Sequence, residues 1–159
     1  MSGVLHVDIV RSGRSWAPAA RQIRTWARAA LGRRACGREL AVRIVGARAS
    51  RLLNARYRGR DQPTNVLSFP VPDVARAAPR ASRAAMHPLG DLVICSVVAR
   101  REARVQRKSV QAHWAHLVVH GALHLIGYDH ERPSDARRME RREIAVLKRL
   151  GFGNPYRSV

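Results

Sequence analysis

The stretch HLVVHGALHLIGYDH, residues 116–130, decides how the chain is read. With Trp114 just upstream, Leu117, Val118 and Leu125 recur at the spacing of a helix, and Ser109 stands where a hydroxyl can cap its first turn. Gly127 supplies the end, because glycine enters the left-handed conformation that closes many helices. His120 and His124 are four residues apart, so they project from one helix face and both imidazoles can reach a single ion. Beyond the glycine the chain can double back through Tyr128 and Asp129 and deliver His130. Three neutral histidines leave a coordination position open, as catalytic zinc sites do and structural ones usually do not. The alternative is a set of packed or hydrogen-bonded core histidines among the seven in the chain. His113 and His116 share the helix, and His116 with His120 forms a competing pair without a third histidine past the glycine.

Outward from this helix the pattern alternates between strands and helices. The N-terminal MSGVLHVDIV reads as a strand, with apolar alternation through Val4 or Leu5, Val7 and Ile9. Ser15 is placed to cap a helix running to about Leu31, with Trp16, Ile23, Trp26 or Ala27 and Ala30 as its core stripe and Gly32 as its stop. ELAVRIV at 39–45 reads as a second strand, and Ala47 to Tyr57 as a short helix with Leu52 and Leu53 facing inward. Asn65 to Phe69 form a third strand. The segment from Pro70 to Pro88 carries four prolines, is rich in alanine and arginine and has no period, which marks an exposed loop. LGDLVIC at 89–95 reads as a buried strand. Ser96 and Ser109 are placed to cap two successive helices, and a last helix runs from about Ser134 to Leu150 with Met139, Ile144, Val146, Leu147 and Leu150 toward the core and Gly151 after it. These elements predict a single α+β domain over residues 1–159, a small mixed four-stranded sheet packed by about five helices.

No apolar run approaches the roughly 18 to 20 residues that cross a bilayer, and no basic region precedes an apolar signal core, so a cytoplasmic protein with no membrane partner is expected. Cys36 and Cys95 form no CxxC pair, which argues against a thiolate zinc site or a disulfide framework; Cys95 reads as a small buried residue. Lys and Arg total 30 against 11 Asp and Glu, a formal net charge of +19. A field of that strength attracts polyanions and steers RNA or DNA to the surface. Only Lys108 and Lys148 are lysines, however, and an arginine- and alanine-rich composition also follows from GC-rich coding. The clusters Arg100, Arg101, Arg104, Arg107, Lys108 and Arg137, Arg138, Arg141, Arg142 read either as polyanion contacts or as solvated helix faces.

Three separated motifs, NARYRGRDQPTNVLSFP at 54–70, LGDLVIC at 89–95 and HLVVHGALHLIGYDH at 116–130, together resemble the YbeY family of bacterial single-strand-specific endoribonucleases, which act in rRNA maturation and ribosome quality control. The resemblance covers roughly residues 35–156 and includes the closing GFGNPY. It implies a small α+β fold with one zinc, or a similar divalent ion, on His120, His124 and His130. It also implies an arginine important for activity in an N-x-x-Y-R segment, the position of Arg58. The implied partners are single-stranded RNA, including the small-subunit rRNA 3′ end, and the ribosome or a ribosomal subunit. The chain departs from the family pattern after the third histidine, where ERPSDARRMERREIAVLKRLG is basic and relatives are commonly acidic, and in the arginine-rich 70–88 loop.

An ion on three imidazoles can bring the pKa of bound water to about 7, giving either a nucleophile or the base that activates one. The Arg58 guanidinium offers paired donors to charge that builds on phosphate. Tyr57 and Asn54 are better read as supports of their helix, and Ser68 and Thr64 as strand and turn residues. Asp129 either orients an imidazole or bonds its own turn. Gly121 follows His120 where zinc proteases of the H-E-x-x-H type carry a glutamate base, and it permits close backbone approach instead. Two readings compete with the endoribonuclease: an RNA- or ribosome-binding assembly factor with a mainly structural metal, and, more weakly, a zinc hydrolase of peptides or small molecules.

Overall fold

In the computed structural model, residues 3–71 and 87–157 are described. β1 (His6–Arg11) follows a backbone in which Leu5 and Val7 are buried and Val4 is exposed, so the odd-numbered residues face the core. With β2 (Arg38–Val45), β3 (Val66–Pro70) and β4 (His87–Cys95) it builds one sheet in the order β1-β2-β4-β3. β1 and β4 flank β2 in parallel, and β3 runs antiparallel to β4 at the opposite edge. Among the described residues five α-helices pack around it: α1 (Ala20–Leu31), α2 (Ala47–Arg58), α3 (Ser96–Val105), α4 (Val110–Leu125) and α5 (Pro133–Arg149). The fold is α+β on a mixed four-stranded sheet, as the pattern predicts.

Strand alternation divides the core between two faces. Val66, Leu92 and Ile94 join α1, α4 and α5 in the main core, whereas Leu67, Phe69, Val93 and Val45 turn the other way and meet Ala49 and Leu53 of α2. α4 is sandwiched between the sheet and α1, α3 and α5, and ten of its sixteen residues are buried. A helix apolar on nearly all sides needs such a central position. Gly121 makes it possible: a Cβ there would lie 2.9 Å from Leu92 Cδ2, 3.2 Å from Val66 Cγ2 and 3.3 Å from Ser68 Oγ.

Several local expectations are corrected. Ser15 does not cap α1, which begins only at Ala20, and Trp16 is exposed rather than part of the core stripe. Pro18 explains this, since a residue before proline is pushed from helical into extended backbone and Ala17 cannot sit inside a helix. Leu52 points to solvent, while Leu53 packs inward as expected; the fully buried positions of α2 are Ser50 and Asn54. They secure the chain after the helix: Ser50 Oγ accepts from Thr64 N–H at 2.9 Å, and Asn54 Nδ2 donates to the Gln62 carbonyl at 2.7 Å. Ser96 is the first residue of α3 rather than its cap, its hydroxyl donating to the Val45 carbonyl at 3.4 Å. Ser109 does cap α4, accepting from Ala112 N–H at 3.1 Å. Cys95 is buried and Cys36 exposed, neither in a disulfide. Most of the expected 70–88 loop, residues 72–86, lies outside the described residues; Pro70 closes β3 and His87 opens β4. Among the described residues no helix is long and apolar enough to cross a membrane.

Candidate metal centre

The end of α4 is built as its sequence suggests. Gly127 takes φ +98°. Its N–H bonds the His124 carbonyl at 3.1 Å and Tyr128 N–H bonds that of Leu123 at 3.1 Å, the paired bonds of a Schellman stop. Tyr128 packs against the core under the Arg138 guanidinium, and its carbonyl returns to accept from His124 Nδ1 at 2.9 Å. Asp129 turns out to serve its own turn, with Oδ1 accepting from the backbone N–H of His130 at 2.6 Å and of Glu131 at 3.3 Å. His130 thereby comes back over the helix end.

His120, His124 and His130 each place a ring nitrogen within 4.8 Å of the other two. His120 Nε2 lies 3.2 Å from His124 Nε2, which lies 3.1 Å from His130 Nδ1. The opposite nitrogens settle the tautomers. His124 Nδ1 faces a carbonyl and His120 Nδ1 faces the Glu143 carboxylate, so both must be N–H donors. In the neutral rings their Nε2 atoms then point lone pairs at one another, a repulsive arrangement that an intervening cation turns into a favourable one. Nitrogens bound at about 2.0 to 2.1 Å on a tetrahedral zinc lie about 3.3 to 3.4 Å apart, close to the spacing here. Burial, with the neighbouring imidazoles of His120 and His130, pushes His124 down to about 4, which keeps it neutral as a ligand must be. The donor set fits a divalent transition metal.

Comparison with known proteins agrees with the family resemblance of the three motifs. The family model described as Endoribonuclease YbeY matches residues 13–151. The chain belongs to the YbeY family. Two curated relatives named Endoribonuclease YbeY are similar to it nearly end to end: one from Methylococcus capsulatus, 47% identical over 98% of each chain, and one from Halorhodospira halophila, 49% identical over 88% of each. A Thermotoga maritima protein whose structure was determined in solution shares the fold with a TM-score of 0.56 at 20% identity, covering 95% of this chain and 99% of its own.

In this YbeY family member Arg58 is the last residue of α2, exposed, with no hydrogen bond or ion pair among the described residues. It is not brought into contact with the histidines, because α2 packs on the other sheet face. The two nevertheless approach one edge. Ser68 of β3 donates to the Gly121 carbonyl at 3.1 Å, and the next residue, Phe69, meets the Tyr57 ring at 5.0 Å. Edge strand β3 thus separates the neighbour of His120 from the neighbour of Arg58. Ser68, Thr64, Asn54 and Tyr57 are all engaged in such supporting contacts.

Two residues beside the histidines escaped the sequence reading, Glu143 and Tyr156, and His116, weighed there only as a rival partner of His120, stands next to them. Glu143 of α5 has no exposed surface, and its carboxylate accepts from His120 Nδ1–H and from the Tyr156 hydroxyl. Burial alone would raise its pKa, yet His116, His120 and Tyr156 outweigh burial and hold it at about 2. Burial and the adjacent Glu143 push Tyr156 well above the usual phenol range, so it stays a donor. A signal was available in the sequence, since Glu143 interrupts the apolar stripe of Met139, Val146 and Leu147. A cavity of about 330 Å³ adjoins this group, bordered by His113, His116, His120, Lys108 and Tyr156.

Proposed function

We propose that the chain is a metal-dependent, single-strand-specific endoribonuclease of rRNA maturation and ribosome quality control, working in the cytoplasm on ribosomal precursors such as the small-subunit rRNA 3′ end. Membership in the family makes it an RNA-cleaving hydrolase; the rest is our reading. The observation that carries it is the convergence of three imidazole nitrogens within 4.8 Å of one another, two of the separations close to those on a tetrahedral ion. His120, His124 and His130 would hold zinc or a similar divalent ion, which when bound supplies Lewis acidity toward phosphate and brings water near neutrality in pKa. In the neutral rings, bonding Nδ1–H to Glu143 and to the Tyr128 carbonyl leaves Nε2 of His120 and of His124 as the nitrogen offered to the ion. Arg58, exposed and without an ion pair among the described residues, offers a fixed charge to a phosphate of a strand crossing the β3 rim. The surplus of arginine supports steering of that strand and of the ribosome to the surface. Peptide hydrolysis is less well supported, since Glu143 meets His120 on the nitrogen turned away from the cluster.

The test is cleavage of single-stranded RNA by the pure protein with and without chelator, beside an Arg58→Ala variant purified identically. The expected result is loss of cleavage with chelator and at least a tenfold loss, about 1.4 kcal/mol of transition-state stabilisation, in the variant. Chelator-insensitive cleavage, or equal cleavage by the variant, counts against the reading.

A further inference from the structure

Resting on the assignment of His120, His124 and His130 as ligands, we propose that Glu143 is a positioning residue of the metal centre, and that Tyr156 extends this support to the chain's C-terminal segment. A glutamate with no exposed surface needs strong partners, because an ionised carboxylate loses its hydration on burial. Its stripe on α5 is otherwise apolar, and a leucine or methionine there would serve the core as well. What glutamate adds is an acceptor for His120 Nδ1–H. That bond selects the tautomer with the Nε2 lone pair facing His124, fixes the ring plane and makes the imidazole a better donor. Tyr156 donates to the second carboxylate oxygen from the other side. Its own segment is held to the α3–α4 turn, where Lys108 Nζ donates to the Pro155 carbonyl. The support therefore runs from residues 155–156 through Glu143 to His120.

One geometric alternative exists. His116, His120 and Glu143 also bring ligand atoms within 4.8 Å of one another, a second set able to hold an ion. It requires His120 to give up the Nδ1–H bond to Glu143. His116 Nε2 stands 3.7 Å from Glu143 Oε2, beyond hydrogen-bond reach, so His116 is the weaker partner of that carboxylate.

The deciding experiment is zinc titration of the full chain, with the visible spectrum of the cobalt-loaded protein, in wild type and in Glu143→Ala, Glu143→Gln, Tyr156→Phe and His124→Ala. Positioning predicts one ion per chain and zinc binding weakened about 10- to 100-fold in Glu143→Ala, less in Glu143→Gln. It also predicts a shifted cobalt spectrum in both and a smaller shift in Tyr156→Phe. Thermal unfolding monitors integrity, and should Glu143→Ala fail to fold, the shape-conserving Glu143→Gln and Tyr156→Phe decide. Zinc affinities and cobalt spectra unchanged in the Glu143 variants overturn the proposal while leaving the ligand assignment standing. Two ions in wild type and one in Glu143→Ala overturn it in favour of the second set. No ion in wild type, or full binding by His124→Ala, removes the ligand assignment itself and this proposal with it.

Discussion

Helix α4 meets a glutamate from a neighbouring helix at two places, and the two pairs end differently. Near its start, His113 Nε2 stands 2.7 Å from Glu102 of α3; near its end, His120 Nδ1 bonds Glu143 of α5. Around Glu102 the network closes on structure. Asn65 Nδ2 donates to its carboxylate at 3.0 Å while Asn65 Oδ1 takes Val66 N–H at 2.6 Å, so the start of β3 is tied to α3 and α4. The far nitrogen of His113 is buried with no hydrogen-bond partner among the described residues. Around Glu143 the far nitrogen of His120 faces two more imidazoles. The same pair of groups is a staple in one place and a mounting in the other, and what the second ring nitrogen meets decides which.

The comparison breaks most clearly at Glu102. Replacing it by alanine leaves a buried imidazole and the Asn65 amide without their acceptor, at a cost of about 2 to 3 kcal/mol. For a chain of this size that is a fall of roughly 5 to 10 °C in Tm. Zinc affinity should be unchanged, because the ligands are mounted from the other end of α4. Calorimetry of Glu102→Ala beside zinc titration measures both, and a variant that loses metal as readily as stability would make the two pairs one network.

A smaller effect is expected at Gly121, where the mounting depends on how closely α4 lies to the sheet. An alanine Cβ at 2.9 Å from Leu92 Cδ2 can be relieved by rotation of that leucine, so the cost is about 1 to 2 kcal/mol. What that rotation leaves unrelieved, with Val66 Cγ2 at 3.2 Å and Ser68 Oγ at 3.3 Å also close, moves the helix at the His120 turn rather than at His113. Gly121→Ala should therefore shift the spectrum of the cobalt-loaded protein while the Tm falls by less than in Glu102→Ala. An unshifted spectrum would mean that Leu92 absorbs the whole displacement.

The same distinction explains what the sequence made legible. The histidine triad could be read because its chemistry is local: a four-residue helical spacing, a helix-ending glycine and a short return bring all three side chains together. The strands could be read because burial imposes a period of two. Glu102, Glu143 and Tyr156 act through partners many residues away, and no local pattern pairs Glu143 with His120. The glutamate was visible only as a polar residue in an apolar stripe, which names a buried charge and not its partner. Arg58 came from the motif resemblance, and its place on the far face of the sheet follows from the alternation of β3, a property of pairing rather than of spacing. Trp16 and Leu52 were misplaced where a single neighbour, Pro18 in the first case, or a buried polar face, Ser50 and Asn54 in the second, outweighed hydrophobicity.

The weakest effect separates the pairs by pH. Burial acts to raise the Glu102 carboxyl, but its bonds to His113 and Asn65 prevail and leave it below the ordinary value of 4.5. A carboxyl lowered by folding binds fewer protons in the native state than in the unfolded one, so stability rises with pH across its titration. The contribution is present above the ordinary value and is lost as the pH falls through the folded one. Acid unfolding of the metal-free protein should therefore lose part of its steepness below about pH 4.5 in Glu102→Gln, an amide that keeps the shape and an acceptor but takes up no proton. Metal-free protein isolates the effect, because protonation of the ligands otherwise releases zinc in the same direction. An acid limb identical to wild type would place the stabilisation of the His113 staple in packing and neutral hydrogen bonds, and its difference from the Glu143 mounting would then be one of charge as well as of destination.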